Sequence, residues 1–438
     1  MQTKNKATGL LIRILFLWMA ALPGVQATEG PRQWSEAHMG ELLFLYHGFH
    51  SQPELSFQEV NTAARLADAW QLCGLEVTTG VGGHGVVGLL KNGPGPVVML
   101  RADLDALPVI EQTGLPFASR VKTKNEEGVE VGVTHACGHD VHTTNLIGVA
   151  CYLSDNTSLW KGTVMLIGQP AEERGAGAQA MLDDDLFERF PRPDFAIALH
   201  VSPILATGQI GYRPGYTMAN VDSVDITLYG KGGHGAYPHT TIDPVVEAAQ
   251  LVLALQTIVS REIDPLAPAV ITVGSIHGGT KNNIISDTVK LQLTVRSFSE
   301  EVRQQLLAAI QHKAQTVASG AGAPEPLVEI AKGTPALFND PALSVRLRPA
   351  FESQIGSENI QLSKQTMGGE DFSRYGKAGV PILMYWLGAV SQERLDAYKA
   401  AGEQPPSLHS PLFYTDVNAT LVTGISTMSS AVIELLQP

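Results

Sequence analysis

The sequence predicts an α/β fold in which a central, mostly parallel sheet carries helices on both faces and a smaller unit is inserted in the chain. Three observations support this prediction. Short apolar runs alternate with segments of helical periodicity, and polar residues follow several of those runs directly. The pattern also changes near residue 216 and returns after residue 333. Alternating strands and helices are typical of a parallel sheet whose functional side chains lie at the carboxyl ends of its strands.

The first half of the chain supplies most elements of the larger domain. Helical periodicity covers residues 34–73, with a turn at 50–53, and residues 143–153. Apolar runs bounded by turn residues predict four strands, which are 86–90 and 96–100, joined as a pair by the turn Asn92-Gly93-Pro94-Gly95, then 162–169 and 193–201. A further helix is expected to start in AEERGAGAQAML, directly after the third of these strands.

The middle of the chain has the pattern of a self-contained unit. It predicts four strands and two amphipathic helices, in the order 223–230, helix 243–263, 269–278, 288–298, helix 299–318 and 326–333. Asp243 and Ser299 are natural N-caps, and Pro244 stands at the first position of its helix. The order β-α-β-β-α-β is that of a split ferredoxin-like unit. Because an apolar run at 380–388 and a closing helix at 418–436 follow, the larger domain is discontinuous.

The first thirty residues differ from the rest. Basic residues flank or interrupt the apolar run LLIRILFLWMAALPG, and Val25 and Ala27 have the spacing of a signal-peptidase site. We therefore predict a signal peptide at 1–27 and export to the periplasm or the exterior, with an uncleaved N-terminal anchor as the alternative. The other predicted boundaries are 34–215 and 334–438 for the two parts of the larger domain and 216–333 for the inserted domain.

Composition limits the possible partners. The chain has 438 residues, of which 44% are hydrophobic and 17% are charged, and its formal net charge is -13. No cluster of Lys and Arg offsets this charge, so nucleic acid is not an expected partner. No segment after the signal approaches the ~20 unbroken apolar residues of a stable membrane span. The odd, low number of cysteines argues against a disulfide framework, so we expect Cys73 and Cys151 to be buried thiols.

Two short motifs indicate a hydrolytic metal site. The segment THACGHD places Cys137 and His139 two residues apart, and the segment QPAEE adds the adjacent carboxylates of Glu172 and Glu173. A cysteine and a histidine at this spacing can point to one place from a tight loop, while one glutamate binds a metal and the other acts on a water. The alternative is a buried cysteine beside a packed histidine, with a Glu pair that starts a helix. That alternative does not explain why the motifs occur together.

Several further side chains become candidates for the same site because these motifs are present. Asp103 and Asp105 follow a predicted strand and could orient a ligating histidine, with Asp105 as the stronger candidate. His200 ends an apolar strand, and His409 lies in a loop before the last helix. Each of these histidines alone would more often be structural. His234 lies in GKGGHGAYPH, where glycines on both sides allow a ligand to approach the backbone closely.

Taken together, the motifs resemble the hippurate hydrolase and auxin-conjugate amidohydrolase branch of the aminoacylase-type dinuclear metallopeptidases. The matching segments run over most of the chain and are HSQPELSFQE, LRADLDALP, HACGHDVHT, GQPAEE, ALHV, GKGGHGAYPH, NNIISD with TVRSF, MGGEDFSRY and LHSPLFYTD. The combination of HACGHD with PAEE is highly specific. The resemblance implies a two-metal catalytic domain and an inserted lid domain through which the chain forms a homodimer.

Matching positions imply a role for each candidate residue. The metal ligands would be Cys137, His139, Glu173, His200 and His409, and the general base would be Glu172. His234 would stabilise the oxyanion in the partner subunit's site, while Asn283 and Arg296 would hold the substrate's carbonyl or carboxylate. Arg174, Ser286 and the acidic segment KTKNEEGVEVG depart from what is usual in this family, which leaves the substrate's identity open.

The implied reaction is hydrolysis of the amide bond of an N-acyl or N-aroyl amino acid, or of a short peptide, by a metal-activated hydroxide. Two divalent ions per chain are expected, with zinc favoured by the mixed ligands and manganese or cobalt as alternatives. A dipeptidase or carboxypeptidase is the alternative within the same class, and a catalytically silent binding protein is the alternative from a different class. Glu172 favours an enzyme, because a silent protein does not need a general base.

Overall fold

A computed structural model describes residues 29–437, so the predicted signal peptide at 1–27 lies outside the described residues. None of the helices in this part of the chain is both long enough and apolar enough to cross a membrane. Two main sheets organise the structure, one of eight strands and one of four. Segments from both ends of the described chain build the larger sheet, and the middle of the chain builds the smaller one.

The described residues form helices and strands in alternation. The helices are α1 (Pro31–Ala37), α2 (Met39–His50), α3 (Val60–Leu72), α4 (His139–Asp155), α5 (Gly177–Asp183), α6 (Leu186–Arg189), α7 (Pro244–Thr257), α8 (Glu300–Ala321), α9 (Pro341–Ile355), α10 (Ser373–Lys377), α11 (Gln392–Ala401) and α12 (Val417–Leu435). The strands are β1 (Glu76–Val81), β2 (Gly85–Asn92), β3 (Val97–Asp103), β4 (Lys122–Lys124), β5 (Glu130–Gly132), β6 (Gly162–Gln169), β7 (Phe195–Ala206), β8 (Ile210–Tyr212), β9 (Gly215–Met218), β10 (Asn220–Tyr229), β11 (Gly233–His234), β12 (Ala269–Gly278), β13 (Ile284–Ile285), β14 (Thr288–Ser297), β15 (Leu327–Lys332), β16 (Leu337–Asn339), β17 (Ile360–Leu362) and β18 (Ile382–Val390).

The larger sheet has the strand order β1-β2-β6-β3-β7-β18-β8-β17. Its centre, from β6 through β3 and β7 to β18, is parallel. Alternate side chains of β6 face opposite sides of the sheet. Val164 and Leu166 pack with the core of α3, α4 and α12, whereas Met165 and Ile167 pack with that of α5 and α10. The predicted α/β fold, with a mostly parallel sheet between helices on both faces, is confirmed.

The smaller sheet is antiparallel and has the strand order β12-β14-β10-β15. Helices α7 and α8 pack against it through a shared apolar core. Both helices begin at the predicted caps, since Asp243 accepts a hydrogen bond from the N–H of Val245 and Ser299 accepts one from the N–H of Val302. The β-α-β-β-α-β order of the inserted unit is therefore confirmed.

The predicted pairing between the strands at 86–90 and 96–100 is wrong. Strands β2 and β3 do form there, but β6 lies between them, antiparallel to β2 and parallel to β3. The turn residues carry the chain across the start of β6 instead of folding it back. A Cβ at Gly95 would lie 2.9 Å from the Cα of Gly162, so this close crossing requires glycine. A glycine-rich turn between two apolar runs therefore does not distinguish a hairpin from a crossing of this kind.

The expectation that Cys73 and Cys151 are free thiols is also wrong. They form a disulfide between the end of α3 and helix α4, with their Cα atoms 4.9 Å apart. An odd number of cysteines does not prevent one pair from forming, and a separation of 78 residues gives no local sign of it. Within the described chain this leaves Cys137 as the free cysteine, and it is buried.

Candidate metal centre

The candidate site lies at the carboxyl edge of the parallel strands. Strand β3 ends at Asp103, Glu172 and Glu173 follow β6 in a turn, and His200 lies within β7. Strand β7 continues beyond His200, so the prediction that it ends there is wrong. Helix α5 begins only at Gly177, so the glutamate pair is not part of its first turn. Because parallel strands end at one edge, they bring together residues that are distant in sequence.

Two loops complete the site. Gly138 caps α4 with a φ of 80°, and a Cβ here would lie 2.5 Å from Cγ2 of Val201, so glycine lets this loop approach β7. His409 has a left-handed backbone with a φ of 68°. Its N–H donates a hydrogen bond of 2.8 Å to the carbonyl of Ala136. This bond holds His409 against the loop that carries Cys137.

All five predicted ligands come together, in two triads that share Cys137. In the triad with His139 and His200, the Sγ atom of Cys137 lies 3.5 Å from Nε2 of His200. In the triad with Glu173 and His409, Sγ lies 3.4 Å from Nε2 of His409, which is 3.4 Å from Oε2 of Glu173. Between the triads, Nε2 of His139 and Oε1 of Glu173 are 3.8 Å apart. The five side chains would hold two neighbouring ions, and Cys137 belongs to both triads.

Unsatisfied polar atoms support this assignment. Nε2 of His139 and Oε1 of Glu173 are buried without a hydrogen-bond partner. A buried polar atom without a partner costs about 1–3 kcal/mol, and a cation bound in each triad would remove that cost. The donor set combines one thiol, three imidazoles and one carboxylate, which suits Zn²⁺ or another borderline transition metal. The residues therefore fit a dinuclear centre.

The electrostatics of the site also favour a cation. Burial lowers the pKa of His139, but the carboxylates of Asp103 and Asp105 outweigh it and raise the pKa to about 10. Burial raises the pKa of the Cys137 thiol well above its usual range and keeps the pKa of His200 well below its usual range. Binding of a divalent ion would therefore release protons from Cys137 and His139, while His200 is already a neutral ligand.

Asp105, the predicted supporting carboxylate, contacts two of the ligands. Nδ1 of His139 donates to the backbone carbonyl of Asp105 at 2.8 Å and lies 3.3 Å from its carboxylate. The N–H of Glu173 donates to the same carboxylate at 3.0 Å. These contacts fix the His139 tautomer that leaves Nε2 free for a metal. Asp103 lies near two histidines, since its carboxylate is 2.6 Å from Nδ1 of His142 and 3.6 Å from Nε2 of His139.

The structure shows a buried cluster of charged side chains beside the site that the sequence analysis does not predict. Arg101 donates to Asp103 at 2.7 Å, to Glu370 at 2.9 Å and to Asp371 at 3.0 Å, and all four side chains are buried. Burial raises the pKa of the neighbouring Glu172 well above its usual range and Glu370 raises it further, whereas Arg101 lowers it. The sequence feature that could have predicted part of this cluster is the acidic pair in MGGEDFSRY, which resembles the glutamate pair of QPAEE.

A cavity of about 600 Å³, lined by both domains, opens onto the centre. Glu172, four of the predicted ligands and Arg296 line it. His234 and Asn283 do not, because they are exposed on the ribbon formed around β11 and β13 of the inserted domain. Of the residues predicted to hold the oxyanion or the substrate, one chain thus brings only Arg296 to its own cavity.

Comparisons with known proteins match the chain to a peptidase family. Residues 99–401 match the model of peptidase family M20/M25/M40. The chain is 39% identical over 336 residues to the N-acetyl-L-cysteine deacetylase of Bacillus subtilis, a match that covers 76% of this chain and 77% of that protein. It is 36% identical over 349 residues to the thermostable carboxypeptidase 1 of Saccharolobus solfataricus, covering 79% of this chain and 85% of that protein.

A solved structure shows the same architecture. The YxeP protein of Bacillus subtilis, a dinuclear metal binding peptidase from the M20 family, matches with a TM-score of 0.76 and 31% identity over 92% of this chain and 99% of that one. The family model spans well over half of the chain, and the predicted ligands lie within it except His409, which lies eight residues beyond its end. The chain belongs to peptidase family M20/M25/M40 and is a metal-dependent hydrolase.

Proposed function

We propose that this chain is an exported amidohydrolase that cleaves the amide bond of N-acyl or N-aroyl amino acids, within the hippurate hydrolase and auxin-conjugate branch of its family. The observation that carries this proposal is the position of Glu172. Its carboxylate lies within 4.8 Å of ligand atoms of His139 and Glu173, one from each triad, and it lines the cavity. Its raised pKa lets it hold a proton that a carboxylate in water would release.

The residues around Glu172 would have separate roles in the hydrolysis of an amide. Two divalent ions, when bound, would supply Lewis-acid chemistry to a water and to the amide carbonyl. Glu172 would accept a proton from that water and deliver it to the departing amine. Arg101 lowers the pKa of Glu172 and so opposes its permanent protonation. We propose zinc as the metal because thiolate and imidazole ligands favour it, with manganese or cobalt as alternatives.

The substrate class is supported by Arg296. Its guanidinium donates to Oγ1 of Thr294 at 3.0 Å and to the carbonyl of Met367 at 3.4 Å. It forms no ion pair with a carboxylate of residues 29–437, so it can bind the carboxylate of an amino acid in the cavity. The relatives named above include a deacetylase and a carboxypeptidase. Because one of these relatives is a carboxypeptidase, cleavage of a peptide bond beside a terminal carboxylate is the alternative activity.

We also propose a homodimer that forms through the inserted domain. Strand β12 is an edge strand of the smaller sheet and exposes Ile276. Nearby in sequence, Leu253 of α7 and Leu266 are 71% and 90% exposed. The free edge of a sheet with exposed apolar side chains nearby is a typical surface for association. In such a dimer, His234 and Asn283 could complete the site of the other subunit, which they do not reach in their own chain.

Export is supported by two features of the chain. One is the predicted signal peptide, and the other is the disulfide between Cys73 and Cys151, because disulfides persist mainly in oxidising compartments outside the cytosol. The intact mass of protein purified from an exported fraction should place the N-terminus directly after Ala27. A full-length mass would instead support the N-terminal anchor.

The activity is tested by presenting the metal-loaded protein with hippurate, N-acetyl amino acids, indole-acetyl amino acids and dipeptides, and by measuring the free amino acid released with ninhydrin. We expect acylated or aroylated amino acids to be cleaved faster than dipeptides. Preferential cleavage of dipeptides would support the alternative activity. Absence of release from every substrate, by protein with a full complement of metal, would contradict the proposal.

A further inference from the structure

The arginine that follows the catalytic glutamate pair is held by a carboxylate from a separate hairpin. Arg174 lines the cavity, and its guanidinium forms two contacts with the carboxylate of Glu126. Glu126 lies in the turn between β4 and β5. The side chains of the pair are 38% and 61% exposed. Because both side chains are exposed to water, another carboxylate can reach the Arg174 guanidinium and compete with Glu126 for it.

A second contact positions the Arg174 guanidinium at the cavity. Its Cζ lies 5.5 Å from the centre of the Phe57 ring, a cation–π arrangement that restricts the side chain without using its hydrogen-bond donors. Phe57 is itself fixed, because its N–H donates to the buried carboxylate of Glu59 at 2.9 Å. Arg174 would therefore keep its place if its carboxylate partner were exchanged.

The same part of the cavity carries a further cation. Lys332, at the end of β15, lines the cavity and forms no ion pair within residues 29–437. The segments after the two cations pack against each other, since a Cβ at Gly175 would lie 2.8 Å from Cγ2 of Thr334. Arg174 and Lys332 thus belong to adjoining segments of the wall, in a chain that has 43 acidic and only 30 basic residues.

The acidic residues of the cavity wall do not neutralise these cations. Glu173 belongs to the second triad, Glu370 pairs with Arg101, and Glu172 is the proposed base. Arg296 is sufficient for the single carboxylate that every N-acyl amino acid carries. Two cations are therefore left without a role in the proposed reaction, and both are suited to an anionic group.

We propose that Arg174 and Lys332 form a subsite for a second carboxylate of the substrate, and that Glu126 occupies Arg174 until that carboxylate arrives. This inference rests on the proposed function and narrows its substrate class to N-acyl amino acids with two carboxylates. The second carboxylate belongs either to the side chain of the amino acid or to the acyl group. Both sources present the same chemistry to the subsite.

The test compares each acid with its neutral amide. One arm uses N-acetyl-L-glutamate and N-acetyl-L-glutamine, and the other uses N-succinyl-L-alanine and N-succinamoyl-L-alanine. In at least one arm, the wild-type kcat/KM for the acid should exceed that for the amide by roughly 10-fold, the value of one good charge-assisted contact. Arg174→Gln should lower this acid-to-amide ratio by about the same factor, and Lys332→Gln should lower it less. Ratios near one in both arms would overturn the subsite.

Two substitutions in the same turn separate the role of Glu126 from a general charge effect. Glu126→Gln frees Arg174 and should raise the acid-to-amide ratio, mainly through a lower KM for the acid. Glu127→Gln is the matched control, because Glu127 is exposed, carries the same charge and forms no ion pair in the described structure. It should leave the ratio and the activity unchanged. If the two variants behave alike, Glu126 does not compete with the substrate.

Calorimetry distinguishes failure of the subsite from failure of the proposed function. Binding of each acid and amide is measured with metal-loaded Glu172→Gln protein and with the Glu172→Gln, Arg174→Gln double variant. Preferential binding of an acid that depends on Arg174, together with no hydrolysis of any acylated amino acid by the wild type, would retain the subsite and reject the proposed function. Hydrolysis of acylated amino acids without any preference for the acids, in rate or in binding, would retain the proposed function and reject the subsite.

Discussion

Glu59 holds Ala171 in a left-handed backbone conformation directly before the glutamate pair of the candidate site. Its carboxylate accepts a hydrogen bond of 2.8 Å from the N–H of Ala171, whose φ is 50°. The same oxygen accepts from the N–H of Phe57, whose φ is 61°. Such conformations cost about 1–3 kcal/mol in residues other than glycine. One buried carboxylate from before α3 therefore shapes both the turn that carries the predicted ligand Glu173 and the ring that supports Arg174.

Replacement of Glu59 with alanine should destabilise the fold by about 2–4 kcal/mol, because two N–H groups lose a buried acceptor. Glu59→Gln should cost less than about 1 kcal/mol at pH 6. Burial raises the pKa of Glu59 to about 7, so at this pH the carboxyl group is mostly neutral and an amide resembles it. Urea unfolding of both variants measures the difference. Equal losses in the two variants would contradict the acceptor role of this side chain.

The second prediction separates the roles of the adjacent glutamates. Glu172→Gln should keep both metal ions and the fold but lose about 10²–10⁴-fold in kcat, because the proton acceptor is gone. Glu173→Gln should instead weaken metal binding, since Glu173 is a member of the second triad. Elemental analysis after gel filtration gives the metal content, which we expect to be two ions per chain in the wild type, and excess chelator should abolish activity.

Each result in this series has a contrary outcome. Near-wild-type turnover in Glu172→Gln would remove the proton-transfer role from this residue. Full metal content in Glu173→Gln would place the ligand elsewhere. Full activity of the wild type in excess chelator, or purified active protein without bound transition metal, would reject the metal centre as the seat of the reaction.

The sequence predicts the residues of the centre better than the contacts around them. The glutamate pair follows an apolar strand, and Cys137 and His139 lie at the start of a buried helix. Parallel strands that end at one edge bring such residues together. Contacts between distant segments leave no comparable pattern. Arg101 and Glu370 are 269 residues apart in sequence and meet only in the folded chain. The disulfide and the position of β6 between β2 and β3 depend on the same kind of long-range pairing.

The third prediction concerns stability at alkaline pH. His50 is buried between Asp140, at 2.6 Å, and Glu111, at 3.1 Å. Burial lowers the pKa of His50, but the hydrogen bonds to these two carboxylates outweigh it and raise the pKa to about 9. The unfolded value is about 6.5, so the ion pairs contribute fully below that pH and their contribution is lost as the pH rises through about 9.

Urea unfolding at pH 6 and pH 9.5 should therefore show a loss of stability in the wild type on the order of 3 kcal/mol from His50 alone. His50→Gln should be less stable at pH 6 but should lose less on the change to pH 9.5. The exposed His277→Gln variant is the control and should follow the wild type. An identical change in stability between the two pH values for wild type and His50→Gln would show that this histidine is not charged in the folded protein.

The last prediction tests whether the exposed His234 serves the site of a second subunit. Glu172→Gln and His234→Ala chains should each be nearly inactive, because removal of one donor to a developing oxyanion typically costs about 10²–10³ in kcat. If His234 acts across the dimer, a mixed dimer contains one site in which both residues are intact. Half of randomly exchanged dimers are mixed, so activity should return to about one quarter of the wild-type value. Subunit exchange is confirmed by the mass of the mixed species, and mixing two preparations of the same variant provides the control. No return of activity despite confirmed exchange would show that His234 acts within its own chain or not at all.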